Sequence, residues 1–168
     1  RGTAYHRFFE ILNYDCCKDY NSIEEYLKTS VAAGKISEEY AGLINLKRFE
    51  EFLQTDLGKR MGSAYKKGLL FREQPFIMEL GADMIDKEYP SDEKILVQGI
   101  VDAFFFEDDK VYIVDYKTDR VEQGKAGEKA LVERYHKQLE LYADTISRVT
   151  GKETGGCYIY STCLKKEI

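Results

Sequence analysis

Two aspartates and one lysine give the stretch VQGIVDAFFFEDDKVYIVDYKTD, residues 97–119, a capacity for chemistry. The runs Gln98 to Phe106 and Val111 to Lys117 are rich in β-branched and aromatic residues, and the polar Glu107-Asp108-Asp109-Lys110 joins them as a β-hairpin turn. With the turn centred between Asp108 and Asp109, Phe106 faces Val111, and the same register sets Asp102 opposite Asp115. Side chains alternate along a strand, so Asp102, Asp115 and Lys117 share one face. Carboxylates opposed in apolar strands repel each other, and a cation between them removes that cost. Their oxygens suit Mg²⁺ or Mn²⁺, and the backbone carbonyl of Tyr116 offers a further ligand. Lys117 adds fixed positive charge beside such an ion, which is the arrangement a metal-dependent phosphodiesterase needs. Taken singly, each residue has an ordinary role: a solvent-facing strand aspartate, or a surface Asp-X-Lys ion pair. The shared register sets the group apart.

The elements around the hairpin follow from pattern. In RGTAYHRFFEIL, Tyr5, Phe8, Phe9 and Leu12 recur at helical spacing, while His6 and Glu10 lie four apart on another face. Asn21 or Ser22 caps a helix running to Lys28, with Glu25 completing a capping box. Ser37-Glu38-Glu39 opens a short helical turn. Asn45 caps a helix with Leu46, Phe49 and Leu53 on one side, and another runs from Asp56 to Lys67 and stops at Gly68. Residues 1–68 thus read as a helical part, and residues 69–168 as a sheet core. A strand from Leu69 to Leu80 is interrupted or pushed to an edge by Pro75. A polar connection from Gly81 to Lys94 leads to the hairpin. Gly124 and Gly127 mark a loop before a long helix, Glu128 to Thr150, on which Tyr135, Gln138 and Tyr142 share a face. Gly151 ends that helix and Cys157 to Thr162 forms a last strand, so strand, helix and strand make a right-handed crossover.

At 168 residues the chain is one domain with ample core, and it opens at Arg1 in mid-helix, as a piece of a larger protein would. A net charge of −5 lacks the basic footprint of a strong nucleic-acid binder. Metal-binding carboxylates account for part of the acidity, and much of any grip on DNA must come from elsewhere. The clusters Lys59-Arg60, Lys66-Lys67 and Lys165-Lys166 read as solvated surface. No apolar run approaches the roughly 20 residues of a membrane span, and no signal peptide opens the chain. Cys16 and Cys17 are adjacent and Cys157 and Cys163 lie six apart, without a C-x-x-C, so no iron–sulfur cluster is expected and the thiols read as free in a reducing cytoplasm. There is no G-x-x-x-x-G-K-[ST] loop, hence no expectation of an ATP site.

Three blocks carry a family resemblance: Gly99-Ile100-Val101-Asp102, Val114-Asp115-Tyr116-Lys117-Thr118-Asp119, and Gln138-Leu139-Glu140-Leu141-Tyr142. With the opening Gly2-Thr3-Ala4-Tyr5-His6, the chain resembles the RecB-like nuclease domains of the PD-(D/E)XK superfamily, most closely those at the C-terminus of AddA-type helicase-nuclease subunits. The resemblance implies an α/β fold of restriction-endonuclease type, a mixed central sheet flanked by helices. It implies a metal held by His6, Asp102, Asp115 and the Tyr116 carbonyl, with Asp102, Asp115 and Lys117 catalytic. Gln138 and Tyr142 would border the site and steer the DNA strand. Mg²⁺ is the implied cofactor, and an imidazole ligand favours substitution by Mn²⁺. The implied activity is a DNA exonuclease in double-strand break repair and recombination, cytoplasmic, working with a helicase portion of the same polypeptide and a second subunit of AddB type. Glu73, in an Arg-Glu-x-Pro-Phe stretch, has no assigned role. Two other readings remain: a catalytically silent DNA- or partner-binding scaffold, and a stand-alone exonuclease of the same superfamily.

Overall fold

The computed structural model describes residues 1–81, 90 and 92–168. Five helices come first: α1 (Gly2–Ile11), α2 (Tyr20–Ala32), α3 (Glu38–Leu43), α4 (Leu46–Gln54) and α5 (Asp56–Lys66). Strands β1 (Leu70–Gly81), β2 (Lys94–Glu107) and β3 (Lys110–Lys117) follow, then α6 (Lys125–Thr150), β4 (Thr154–Ser161) and β5 (Lys166–Glu167). The sheet order is β1-β2-β3-β4-β5. The β3–β4 pair is parallel, joined through α6, and the other pairs are antiparallel. This is a mixed α/β sheet flanked by helices, as expected.

Local chemistry sets the boundaries. Ser37, Asn45 and Thr55 cap α3, α4 and α5 through their side chains, each accepting a backbone N–H that the first turn leaves without an internal partner. Helix α2 starts earlier than the sequence predicts. Asp19 is its cap and accepts from the Ser22 N–H, while the Ser22 hydroxyl accepts from Asp19 N–H, so Ser22 closes the box from inside the helix. Gly68 and Gly151 follow α5 and α6 with φ of 70° and 67°, conformations costly for any residue with a Cβ. Gly127 lies within α6 rather than in a loop, because its missing Cβ lets the helix pack under the Glu122 carbonyl, 1.9 Å from where a Cβ would sit. Pro75 does not interrupt β1; it pairs with Ile100 on the edge strand, where its missing N–H is tolerated. The expected connection between Gly81 and Lys94 falls mostly outside the described residues, with Gly81 closing β1 and Lys94 opening β2.

Two cores sandwich the sheet. One joins α1, α2, α4 and α5 to Ala103, Phe105, Val114, Tyr116 and Tyr160. The other joins α6 to Phe76, Val101, Phe104, Val111, Ile113 and Ile159. Strict alternation would keep Val101, Ala103 and Phe105 on one face, yet Val101 packs toward α6 and the other two toward α1. The β1–β2 ribbon therefore inverts its faces between the Arg72–Ala103 and Gln74–Val101 pairs, the step that holds Glu73 and Asp102. Glu73 sits there with φ of 49°, a left-handed conformation that is costly for a non-glycine residue in mid-strand.

Candidate active site

Strand register delivers the aspartates. Phe106 pairs with Val111 and the ladder continues to Ala103 opposite Val114, one step short of Asp102 and Asp115. At that step Asp102 Oδ2 accepts the Tyr116 backbone N–H at 2.8 Å, so a carboxylate takes the place of a ladder carbonyl. Tyr116 is itself locked: its buried ring stacks on Phe9 at 3.9 Å with 2° between planes. Phe9 lies on α1 three residues after His6, so the packing that fixes α1 on β3 also brings His6 to the carboxylates. The His6 Nδ1 is 3.4 Å from Asp102 Oδ1. The left-handed Glu73 joins them, and ligand atoms of His6, Glu73 and Asp102 all lie within 4.8 Å of one another.

Asp115 is fully buried, and Lys117 Nζ is 2.7 Å from its Oδ2. Apart from this ion pair, neither Asp115 oxygen has a donor among the described residues. One ammonium leaves much of a buried carboxylate unsatisfied, and a divalent cation would answer the rest. Lys117 is held by more than this charge contact. It donates to Gln138 Oε1 at 3.2 Å and lies 4.1 Å from the Tyr135 ring centroid. Gln138 Nε2 donates to the Tyr142 hydroxyl at 2.6 Å. Tyr135 in turn donates to Asp119, which also accepts from Arg134. The face of α6 thus positions the lysine.

The electrostatics record the crowding. Burial and the charge of Asp102 push the Asp115 carboxyl up to about 6, against the pull of Lys117. Burial together with Asp102 also raises Glu73. Burial alone would lower His6, but its contact with Asp102 and the charges of Asp102, Glu73 and Asp115 raise it overall. Three carboxylates, an imidazole and one lysine in this space suit a divalent cation: hard oxygens with one nitrogen, and an orphaned buried acceptor beside them. His6, Asp102, Asp115, Tyr116, Lys117, Gln138 and Tyr142 are all brought together around the face inversion. Glu73 joins the set without a role assigned from sequence; its nearness could be counted only from the pairing of β1 with β2.

The family model for the PD-(D/E)XK nuclease superfamily matches residues 1–167. The A subunit of an ATP-dependent helicase/nuclease from Clostridium perfringens (strain SM101 / Type A) is 35% identical across 100% of this chain, which covers 14% of that relative. Its counterpart from Thermoanaerobacter sp. (strain X514) is 38% identical over 95% of the chain and 13% of its own length. That of Listeria monocytogenes serotype 4a (strain HCC23) is 32% identical over 95% of the chain and 13% of its own length. The chain therefore spans a small part of these relatives, 13–14% of their length. On the match, the fold and the relatives together, the chain belongs to the PD-(D/E)XK nuclease superfamily and is homologous to the nuclease region of AddA-type subunits.

Proposed function

We propose that this chain is the metal-dependent deoxyribonuclease domain of a helicase-nuclease, hydrolysing phosphodiester bonds as an exonuclease on single strands. The carrying observation is Asp115, a buried carboxylate whose one close partner among the described residues is the Lys117 ammonium, with Asp102, His6 and Glu73 beside it. His6, Asp102, Asp115 and the Tyr116 carbonyl are the proposed ligands of Mg²⁺ or Mn²⁺, with Glu73 added from its place in the cluster. When bound, the ion supplies positive charge against the phosphate and makes a neighbouring water more acidic.

The rest is the work of the chain. Lys117, oriented by Gln138 and Tyr135, holds a fixed ammonium where negative charge grows in the transition state. Asp115 keeps that ammonium in place. Asp102 ties the site to the Tyr116 backbone and so to the packed α1–β3 contact. Gln138 and Tyr142 border the path of the strand.

In the cell, the reading places this domain in the cytoplasm, in double-strand break repair and recombination. There it would receive a strand from a helicase portion of the same polypeptide, paired with a second subunit of AddB type. Digestion of linear and circular single-stranded DNA with Mg²⁺ or Mn²⁺, beside an Asp115→Ala control, tests the chemistry. Cleavage of the linear strand, sparing of the circle and loss of activity in the variant are expected. Undiminished cleavage by Asp115→Ala would refute the assignment.

A further inference from the structure

Cavities open from the site on both sides of the sheet. Toward α6, one of about 700 Å³ is lined by Phe76, Gly99, Lys137, Gln138, Leu141 and Tyr142, among others. Toward α1, one of about 300 Å³ has the cluster residues His6 and Glu73 in its wall, together with Thr3, Arg7, Lys35 and Tyr40. Thr3, His6, Arg7 and Glu10 recur at i, i+3, i+4 and i+7, the polar stripe of a helix whose other side buries Ala4, Tyr5, Phe8 and Phe9. Arg7 on that stripe is braced, its Nε donating to the Lys35 carbonyl at 2.8 Å and its Nη1 to Glu10, with which it forms an ion pair. This leaves the remaining edge of the guanidinium for another acceptor. The Lys35 side chain is exposed, and no carboxylate of the described residues lies within 4.0 Å of its ammonium. Half-buried Tyr40 forms an aromatic wall of the same cavity.

Resting on the nuclease reading above, we propose that this α1–α3 cavity is the nucleotide subsite adjoining the scissile phosphate. Arg7 and Lys35 grip the neighbouring backbone phosphate, and Tyr40 offers its ring to the base. The substrate passes the carboxylate cluster, from the α6 cavity to this one. A single strand is the form that fits, because its bases are free to reach an aromatic wall. With Arg7 matched by Glu10, Lys35 is the cation of this cavity without a carboxylate beside it among the described residues, at the place where a phosphate must approach the acids.

The test is fluorescence anisotropy of a labelled oligothymidylate, with Mn²⁺, on the cleavage-defective Asp115→Ala chain and on the same chain also carrying Arg7→Gln and Lys35→Glu. The two added changes should weaken binding about tenfold at low salt. They should also flatten the dependence of log affinity on log salt by about 0.7 for each phosphate no longer neutralised. A purely structural role for Arg7 would move the melting temperature but not the salt slope. Lys35→Glu alone, at an exposed position, keeps the test decisive if the Arg7 variant folds poorly. Equal affinity and equal slope in all the chains overturn the subsite. Absence of Mn²⁺-dependent cleavage by the unmutated chain on the same oligonucleotide overturns the nuclease reading instead, so the two failures are distinct.

Discussion

Replacing Asp115 by asparagine should stabilise the metal-free protein at pH 8, although it removes half of a buried ion pair. The carboxyl has an ordinary value of 3.8 and is pushed up to about 6 in the fold, because burial and Asp102 disfavour its charge more than Lys117 favours it. Each tenfold change in proton affinity is worth about 1.4 kcal/mol, so carrying the charge at neutral pH costs the native state on the order of 3 kcal/mol. The sign follows from proton binding. Between 3.8 and about 6 the folded chain holds the proton more tightly than the unfolded chain, so stability falls as pH rises through that window. Asparagine cannot ionise and escapes the loss. Its advantage should be near zero at the acid end of the window and complete above pH 7.

The opposing effect is that Lys117 is left at a buried position without its acid partner. That penalty reaches several kcal/mol when a partner is wholly lost. Here Lys117 keeps Gln138 Oε1 at 3.2 Å and the face of Tyr135 at 4.1 Å. The attraction of Lys117 for Asp115 is, moreover, already counted within the net rise of the carboxyl. The gain should therefore survive as an increase in melting temperature of roughly 6–12 °C for a chain of this size. Thermal melts by circular dichroism in EDTA, from pH 4.5 to 8, would measure it. Mn²⁺ at 1,000 times its Kd should reverse the order, since it adds about 4.1 kcal/mol only to the protein that binds it. An asparagine variant no more stable than wild type at pH 8, or an advantage that does not shrink with acid, would refute this account of the site.

Two further outcomes follow from the same geometry. Lys117→Met should slow Mn²⁺-dependent cleavage by about 10²–10³, the scale for loss of one preorganised positive partner, while keeping the Mn²⁺-induced rise in melting temperature; loss of both would make Lys117 a structural support for the ion instead. Mn²⁺ affinity measured by calorimetry should fall as pH drops from 8 to 6, because His6 and Asp115 both hold protons more tightly than usual and protons compete with metal; a flat profile would remove both from the ligand set.

Much of this arrangement could be counted from residues. The turn at Asp108-Asp109 is unambiguous because both residues adopt left-handed φ, 48° and 65°, as a tight hairpin requires, and every pair back to Ala103 and Val114 follows from it. The helix stops at Gly68 and Gly151 were legible for the same conformational reason. Other features rest on contacts distant in sequence. Gly127 reads as a loop residue, yet it is glycine because of the Glu122 carbonyl, which only the folded chain brings near. Ser22 looks like a cap and is the third residue of the helix, since Asp19 outcompetes it for the outer position. The two-residue β5 is too short to leave any periodic trace. Glu73 is the instructive case. Nothing local marks a glutamate in an extended run as left-handed, and its place opposite Asp102 depends on the pairing of β1 with β2, between which the chain runs for residues 82–93.

The inversion at Glu73 and Asp102 explains why chemistry would collect at this point. A regular sheet shows each side chain to one layer only, so α1 and α6 could not both act on one strand residue. Where the ribbon turns over, Asp102 meets His6 from the α1 layer, and its neighbour Asp115 meets Lys117, which α6 holds through Gln138. The turn-over is costly, since it strains Glu73 and diverts the Tyr116 N–H from a carbonyl to a carboxylate. It is sustained by Phe9 stacked on Tyr116 and by the aromatic cluster behind them. The core thus supplies the rigidity that holds three mutually repelling carboxylates together before any ion arrives. A softer core would let the acids move apart, and the affinity for a cation would fall as they did.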